Sequence, residues 1–169
     1  MKYRLANLND LPKLKSFFKD VVKDMYKNNI TIWGDYYPYE VLHIDINLNR
    51  LYILHENEKF ISVFALCREE GQKEYVNWKD KNANALYIYR LAVHPDLLGK
   101  SIATVVINYA LELTKQFQCE YLRLLVVDNN LPALKLYEKI NFNLVTGTYK
   151  QTMHDGVVLT EYGFEKKIV

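Results

Sequence analysis

The stretch from Ala85 to Val127 limits what this chain can fold into more than any other. ALYIYRLAV (85–93) is rich in β-branched, aromatic and other apolar residues and reads as a strand, the longest expected in the chain. Ser101 to Phe117 then sets Ile102, Val106, Tyr109, Ala110, Leu113 and Phe117 on one helical face. YLRLLVV (121–127) follows with little alternation, as expected of a strand inside a sheet covered on both faces. A strand running into a helix and on to another strand is a βαβ crossover, which demands a parallel element in the sheet.

The rest of the chain predicts mainly antiparallel neighbours. KYRLA (2–6) makes a short strand, and Asn9 or Asp10 then caps a helix with Pro12 in its first turn. Leu14, Phe17, Phe18, Val21, Val22 and Met25 recur at helical spacing, so one face of that helix is buried. Val41 to Leu48 reads as a second, shorter helix. LYILHE (51–56) and KFISVFALCRE (59–69) form a hairpin around Asn57–Glu58. The polar connection EGQKEYVNWKDKNAN leads into the strand at Ala85. Pro132 opens a helix with Ala133, Leu136, Tyr137 and Ile140 on one side, and FNLVTGTYKQT and VVLTEYGFEK form a terminal hairpin turning at Asp155–Gly156. With no repeat and no linker, residues 1–169 are expected to form one α/β domain. Its sheet is mixed, twisted and mostly antiparallel, with a central βαβ crossover and helices on both faces.

Charge and cysteine content narrow the function. There are 22 Lys+Arg against 20 Asp+Glu, a formal net charge of +2. So even a balance argues against a nucleic-acid or membrane partner, and any basic site must be local. Cys67 and Cys119 are too few for a disulfide framework and lack metal-ligand spacing, so no metal is expected and a reducing, cytoplasmic home is. The first residues, MKYRLANLNDLPKLK, contain no apolar signal-peptide core.

The segment that carries chemistry is YRLAVHPDLLGKSIA (89–103). A strand ends at Val93, Pro95 delays the helix, and Gly99 gives a flexible point just before it. Several backbone N–H groups and the positive end of a helix dipole then converge on one spot, with the Lys100 charge beside it. Such a spot suits a phosphate. It is neither a nucleotide P-loop nor a dinucleotide fingerprint, because the required glycines and the G-K-[ST] ending are absent.

This segment resembles the V-H-P-x-x-[QR]-G-x-G-x-[GA] signature of the GNAT superfamily of N-acetyltransferases, of the small bacterial type. The chain supplies Val93, His94, Pro95, Gly99 and Ala103, but has Leu98 in place of Gln or Arg and Ser101 in place of the central glycine. The family's second signature, N-x-x-A-x-x-L-Y-x-x-x-G-F, is matched by Asn130, Ala133, Leu136, Tyr137 and Phe142, with Asn141 replacing the glycine. Trp33, Tyr37–Pro38 and Trp78 also fit the outline of the small bacterial members. The resemblance implies acetyl-CoA as cosubstrate. Its pyrophosphate would meet the backbone of Leu98, Gly99, Lys100, Ser101, Ile102 and Ala103. Its pantetheine arm would meet Leu91, Ala92, Val93 and Asn130, and Tyr137 would lie near the thiol as general acid. Lys135 or Lys139 would face the outer phosphate.

The implied reaction is direct transfer of the acetyl group to an amine of a small molecule or peptide. The amine must lose a proton before it attacks, and the developing oxyanion needs donors, here N–H groups around Leu91 to Val93. The chain has 14 tyrosines. Trp33, Tyr36, Tyr37, Tyr39, Tyr75 and Trp78 cluster in the connections expected beside the acceptor, with Tyr89 on the central strand, and aromatics with polar tips suit an amine. Tyr89 replaces a histidine common in relatives. Asp35, Glu40 and Asp45 read as solvated surface carboxylates, and His94 and Cys67 as structural, so no base is assigned. The departures at Leu98 and Ser101 support a second reading, a non-catalytic acyl-CoA-binding or regulatory domain. Exposed strands allow a homodimer, as many such proteins form.

Overall fold

The structure is a computed structural model that describes residues 1–68, 75–153 and 156–168. Among the described residues, eight strands and four α-helices run in the order β1 (Lys2–Leu5), α1 (Leu11–Lys27), α2 (Leu42–Asn47), β2 (Leu51–Glu56), β3 (Lys59–Cys67), β4 (Val76–Asn77), β5 (Ala85–Val93), α3 (Ile102–Gln116), β6 (Tyr121–Val127), α4 (Leu131–Lys139), β7 (Asn143–Thr152) and β8 (Val158–Lys167). The class is mixed α/β, with strand order β1-β2-β3-β5-β6-β8-β7-β4 and β5 parallel to β6. The chain divides into two compact units, Met1–Leu66 with Tyr89–Ile107, and Cys67–Ile88 with Asn108–Val169. Strand β5 contributes its first four residues to the second unit and its last five to the first.

In the first unit β1, β2 and β3 form an antiparallel meander, and Asn57 takes the left-handed conformation (φ 51°) in the expected hairpin turn. Helix α1 buries Leu14, Phe17, Phe18 and Val21. Val22 and Met25 are only half-buried, so the apolar stripe is narrower than the spacing suggests. Burial of a ring such as Phe18, fully removed from water, contributes on the order of 2–3 kcal/mol. The helix entry differs from expectation. A short turn at Leu8–Asp10 precedes α1, and the capping side chain is Asn7, which accepts from the Asn9 N–H at 2.9 Å. Asp10 makes no side-chain cap to α1; its carboxylate accepts from the Asn7 N–H at 2.8 Å and from both terminal nitrogens of Arg4 at 2.7 Å.

In the second unit β6 and β8 pair antiparallel over seven residues, and β7 and β8 form the terminal hairpin. At ten residues each, β7 and β8 exceed the nine of β5, against expectation. Gly156 holds φ 83° in the expected turn; Asp155 lies outside the described residues, as do residues 69–74 of the polar connection. The rest of that connection contains the unexpected strand β4, paired with β7 through Val76↔Gly147 and Asn77↔Thr146. Gly147 permits the pairing: it has φ 83°, and a β-carbon there would come within 2.6 Å of the Tyr75 carbonyl oxygen. Beneath lies a buried ion pair. Arg123 Nε donates to Glu165 at 3.1 Å and its Nη1 to the Tyr87 hydroxyl at 3.3 Å, and the guanidinium lies 4.9 Å from the Trp78 ring and 5.0 Å from that of Tyr121.

Candidate functional site

Each unit carries its own share of the expected site residues. In the first, β5 leaves Val93, turns through Pro95–Leu97 and enters the 15-residue α3. His94 caps that turn through a long contact to the Asp96 N–H (3.4 Å), and its backbone N–H donates to the Ile61 carbonyl, so it is structural. Gly99 (φ 75°) and Ser101 (φ 59°) both take left-handed backbone conformations around Lys100. Alternation of this kind turns successive N–H groups toward one side, the geometry of an anion-binding nest. The Leu98 N–H is engaged with the Pro95 carbonyl at 3.2 Å and that of Lys100, more weakly, with Leu97 at 3.4 Å. Ile102 and Ala103 open α3, where N–H groups have no acceptor four residues back. A β-carbon on Gly99 would meet nothing within 4 Å, so the turn faces open space. These features fit the pyrophosphate of an acyl-CoA. Ser101 also explains the departure from the signature: the position demands a left-handed residue, which glycine adopts most cheaply and serine adopts at a cost. The Lys100 ammonium donates to the Asp96 carbonyl at 3.1 Å, which keeps it beside the nest.

Upstream on β5, three residues, Ala85, Leu86 and Tyr87, pair with β6. Arg90, in the middle of the strand, has φ 54° and interrupts its regular pleat. Its guanidinium organises the expected acceptor residues of this unit. Nη1 donates to the Tyr37 hydroxyl at 3.1 Å, and the charge lies 5.9 Å from the Tyr37 ring and 5.3 Å from that of Tyr89. Trp33 packs edge-on to Tyr37 at 6.1 Å and to Phe18 at 5.8 Å. Tyr36 is 70% exposed. Behind Arg90 sits Asp45, which overturns its reading as a solvated carboxylate. It is fully buried, with Oδ2 2.6 Å from Arg90 Nη2 and Oδ1 accepting from Arg50 Nε at 2.7 Å. Asp35 and Glu40 are exposed, as expected.

In the second unit Asn130 caps α4, its side chain accepting from the Ala133 N–H at 3.4 Å. Tyr137 is buried against Phe142 (5.5 Å) and Phe164 (6.0 Å), and burial pushes its phenol pKa upward. Such a phenol stays protonated at neutral pH, which suits a proton donor and not a base. Trp78 corrects the expectation of an acceptor wall. It is 4% exposed, packed on Arg123 and edge-on to Tyr87, and its Nε1 has no hydrogen-bond partner. Its indole fills the core because the Arg123–Glu165 pair needs a cover. Glu161, on β8, was not singled out by its sequence. Burial raises its carboxyl to about 7. The only available signal was its alternation with Leu159, Gly163 and Glu165, which puts two carboxylates on one strand face.

Among the described residues, no group of three or more His, Cys, Asp or Glu is placed to hold a metal, and no helix is long and apolar enough to cross a membrane. The acetyltransferase (GNAT) family matches residues 17–142, well over half of the chain. A GNAT-family acetyltransferase from Streptococcus agalactiae 2603 superposes with a TM-score of 0.81 at 17% identity, over 98% of this chain and 94% of that one. The ribosomal-protein-alanine N-acetyltransferase of Brucella melitensis gives 0.69 at 16% identity, over 99% of both. At these identities the likeness is one of fold. The UPF0157 protein YqkA of Bacillus subtilis (strain 168) is 32% identical over 79 residues, 47% of this chain and 22% of that protein's length. With most of its length, both signatures in register and the left-handed turn before α3, the chain belongs to the acetyltransferase (GNAT) family.

Proposed function

We propose that this protein transfers an acetyl group from acetyl-CoA directly to an amine of a small molecule or peptide. The observation that carries the reading is the nest at Gly99–Ser101, opening onto free space at the start of α3. Backbone N–H groups of Gly99, Ser101, Ile102 and Ala103, helped by the Lys100 charge, take the pyrophosphate, while those of Leu98 and Lys100 hold the turn together. Bending at Arg90 leaves Leu91, Ala92 and Val93 to meet the pantetheine arm and the carbonyl oxygen with main-chain groups. Asn130 adds a polar contact to that arm. Tyr137, kept protonated by burial, donates to the leaving sulfur. Trp33, Tyr36, Tyr37 and Tyr89 form the aromatic surface met by the acceptor, with Arg90 holding Tyr37 in place. Acetyl-CoA supplies the activated acyl group, so no covalent enzyme intermediate is needed.

The test is release of free coenzyme A on a panel of primary amines, with the acetylated product identified by mass. Tyr137→Phe should lose rate by about tenfold or more while keeping its affinity for acetyl-CoA. A variant as fast as the parent removes Tyr137 from the mechanism. Tight acetyl-CoA binding without turnover on any amine identifies the non-catalytic acyl-CoA-binding domain instead.

A further inference from the structure

Arg90 stands in a backbone conformation that its own residue type resists. At φ 54° the β-carbon crowds the following carbonyl, so a residue with a side chain stays there only where its surroundings hold it. The hold comes from α2. That helix buries Leu42, Asp45 and Ile46, which fixes the Asp45 carboxylate in the interior. One carboxylate oxygen lies 2.6 Å from Arg90 Nη2, and the other accepts from Arg50 Nε at 2.7 Å. The Arg50 backbone N–H also donates to the Asp45 carbonyl at 3.0 Å, which ties the acid to its second partner along the chain. The Arg90 side chain is 7% exposed, so its charge is balanced inside the protein by this carboxylate.

Beyond the bend, β5 is anchored on β3. The buried Ser62 hydroxyl donates to the Ala92 carbonyl at 2.5 Å, and the His94 N–H donates to the Ile61 carbonyl at 2.9 Å. Alternate residues of an extended chain present their main-chain groups to the same side. Ala92 and His94 therefore face β3, while the N–H and C=O groups of Leu91 and Val93 point the other way. Those are the groups assigned above to the pantetheine arm and the acyl oxygen. The left-handed residue immediately before them sets their direction, because it turns the chain where the pleat would otherwise run on. Asp45, Arg50, Ser62, Arg90 and the three residues after it all belong to the first unit.

We propose that Asp45 is a positioning residue for acyl transfer: through its ion pair with Arg90 it holds the bend of β5 that aims the main chain of Leu91 to Val93 at the thioester. The inference rests on the transferase reading and adds to it a residue that touches neither cosubstrate nor acceptor. Donors for a developing oxyanion act only when they are fixed in place before the reaction, so a strand free to flatten at residue 90 loses them without losing the fold. An ion pair that served only to anchor α2 would leave the backbone at residue 90 and the rate at saturation unchanged.

The experiment compares four proteins: the parent, Asp45→Asn, and Asp45→Asn combined with either Arg90→Gly or Arg90→Ala. Glycine takes a positive φ readily and alanine does not, and both remove the guanidinium that Asp45→Asn leaves buried without its anion. Two quantities are read. One is kcat at saturating acetyl-CoA and amine. The other, in unliganded protein, is the NMR one-bond Cα–Hα coupling of residue 90, which separates positive from negative φ. The proposal expects a positive φ at Arg90 in the parent, and in Asp45→Asn a negative φ with kcat lower by about fivefold or more. The double variant with glycine should be faster than the one with alanine by about fivefold or more, a gap set by the β-carbon alone. Both lose the donor to the Tyr37 hydroxyl, which raises KM for the amine in each and leaves their kcat ratio intact. A negative φ at Arg90 in the parent, an Asp45→Asn variant that keeps the positive φ or stays within about fivefold of the parent's kcat, or two double variants less than about fivefold apart overturns the proposal. The double variants decide it even if Asp45→Asn alone does not fold, since neither buries an unpaired guanidinium. A parent that turns over no amine overturns the transferase reading, and this assignment with it; a parent that turns over while any of these expectations fails overturns this assignment alone.

Discussion

Asp45→Asn is the substitution whose cost can be worked most directly from the structure. Asp45 is fully buried, and its two oxygens lie 2.6 Å from Arg90 Nη2 and 2.7 Å from Arg50 Nε. The two arginines differ: the Arg90 side chain is 7% exposed and that of Arg50 is 31% exposed. Asparagine keeps the shape but removes the charge, leaving the Arg90 guanidinium buried without the anion that faces it. Breaking a buried pair from one side costs about 3–5 kcal/mol. For a chain of this length each kcal/mol moves the melting temperature by roughly 2–4 °C, so the loss is about 6–20 °C. Arg50→Ala breaks the more exposed half of the same arrangement and should cost about 1 kcal/mol. Urea unfolding followed by far-UV circular dichroism gives both free energies. A cost for Asp45→Asn below about 1 kcal/mol, or below that of Arg50→Ala, would refute the reasoning that burial of Arg90 makes this carboxylate indispensable.

Ser101→Gly removes a β-carbon from a left-handed position (φ 59°) that costs roughly 1–2 kcal/mol, against about 0.5–1 kcal/mol of added freedom in the unfolded chain. It should melt slightly higher and bind acetyl-CoA at least as tightly; a lower melting temperature contradicts the strain. Asp10 has its pKa lowered by the hydrogen-bonded Arg4, so its contribution is present above the unfolded value of 3.8 and is lost as pH falls through the depressed folded value. Asp10→Asn should therefore cost about 1 kcal/mol at pH 7 and progressively less on acidification below pH 3.8, as read by urea titration at each pH. Glu161 works in the opposite sense. With its folded value raised from 4.5 to about 7, the native state binds more protons in that window, and stability falls across it by up to roughly 3 kcal/mol. Glu161→Gln should flatten that slope and unfold at higher urea than the parent at pH 8; parallel stability curves would rule the shift out.

The order of elements was legible in the sequence because strand and helix periods alternate cleanly from Ala85 to the end of β8 at Lys167, and because Asn57 and Gly156 mark their turns. The two-residue β4 was not, since its pairing depends on the missing β-carbon of Gly147, far along the chain. The helix entry was misjudged because Asn7, Asn9 and Asp10 are all plausible caps, and the Arg4 guanidinium claims Asp10. The site divides in the same way. The turn at Gly99–Ser101 is local and could be read from its residues. Asp45 and Trp78 could not, because an exposed polar residue and a buried one look alike until Arg90 and Arg123 arrive from other strands. Glu161 depends on what covers it, and neighbours in sequence say nothing about that.

Titration with acetyl-CoA while following the melting temperature tests the central claim most directly. At 100 times the dissociation constant, binding to the folded chain adds about 2.7 kcal/mol, a rise of roughly 5–11 °C for a chain of this size. The nest at Gly99–Ser101 predicts that rise with acetyl-CoA and not with NADH or ATP. A folded protein whose melting temperature does not move, or moves equally with ATP, would contradict the assignment of an acetyl-CoA site.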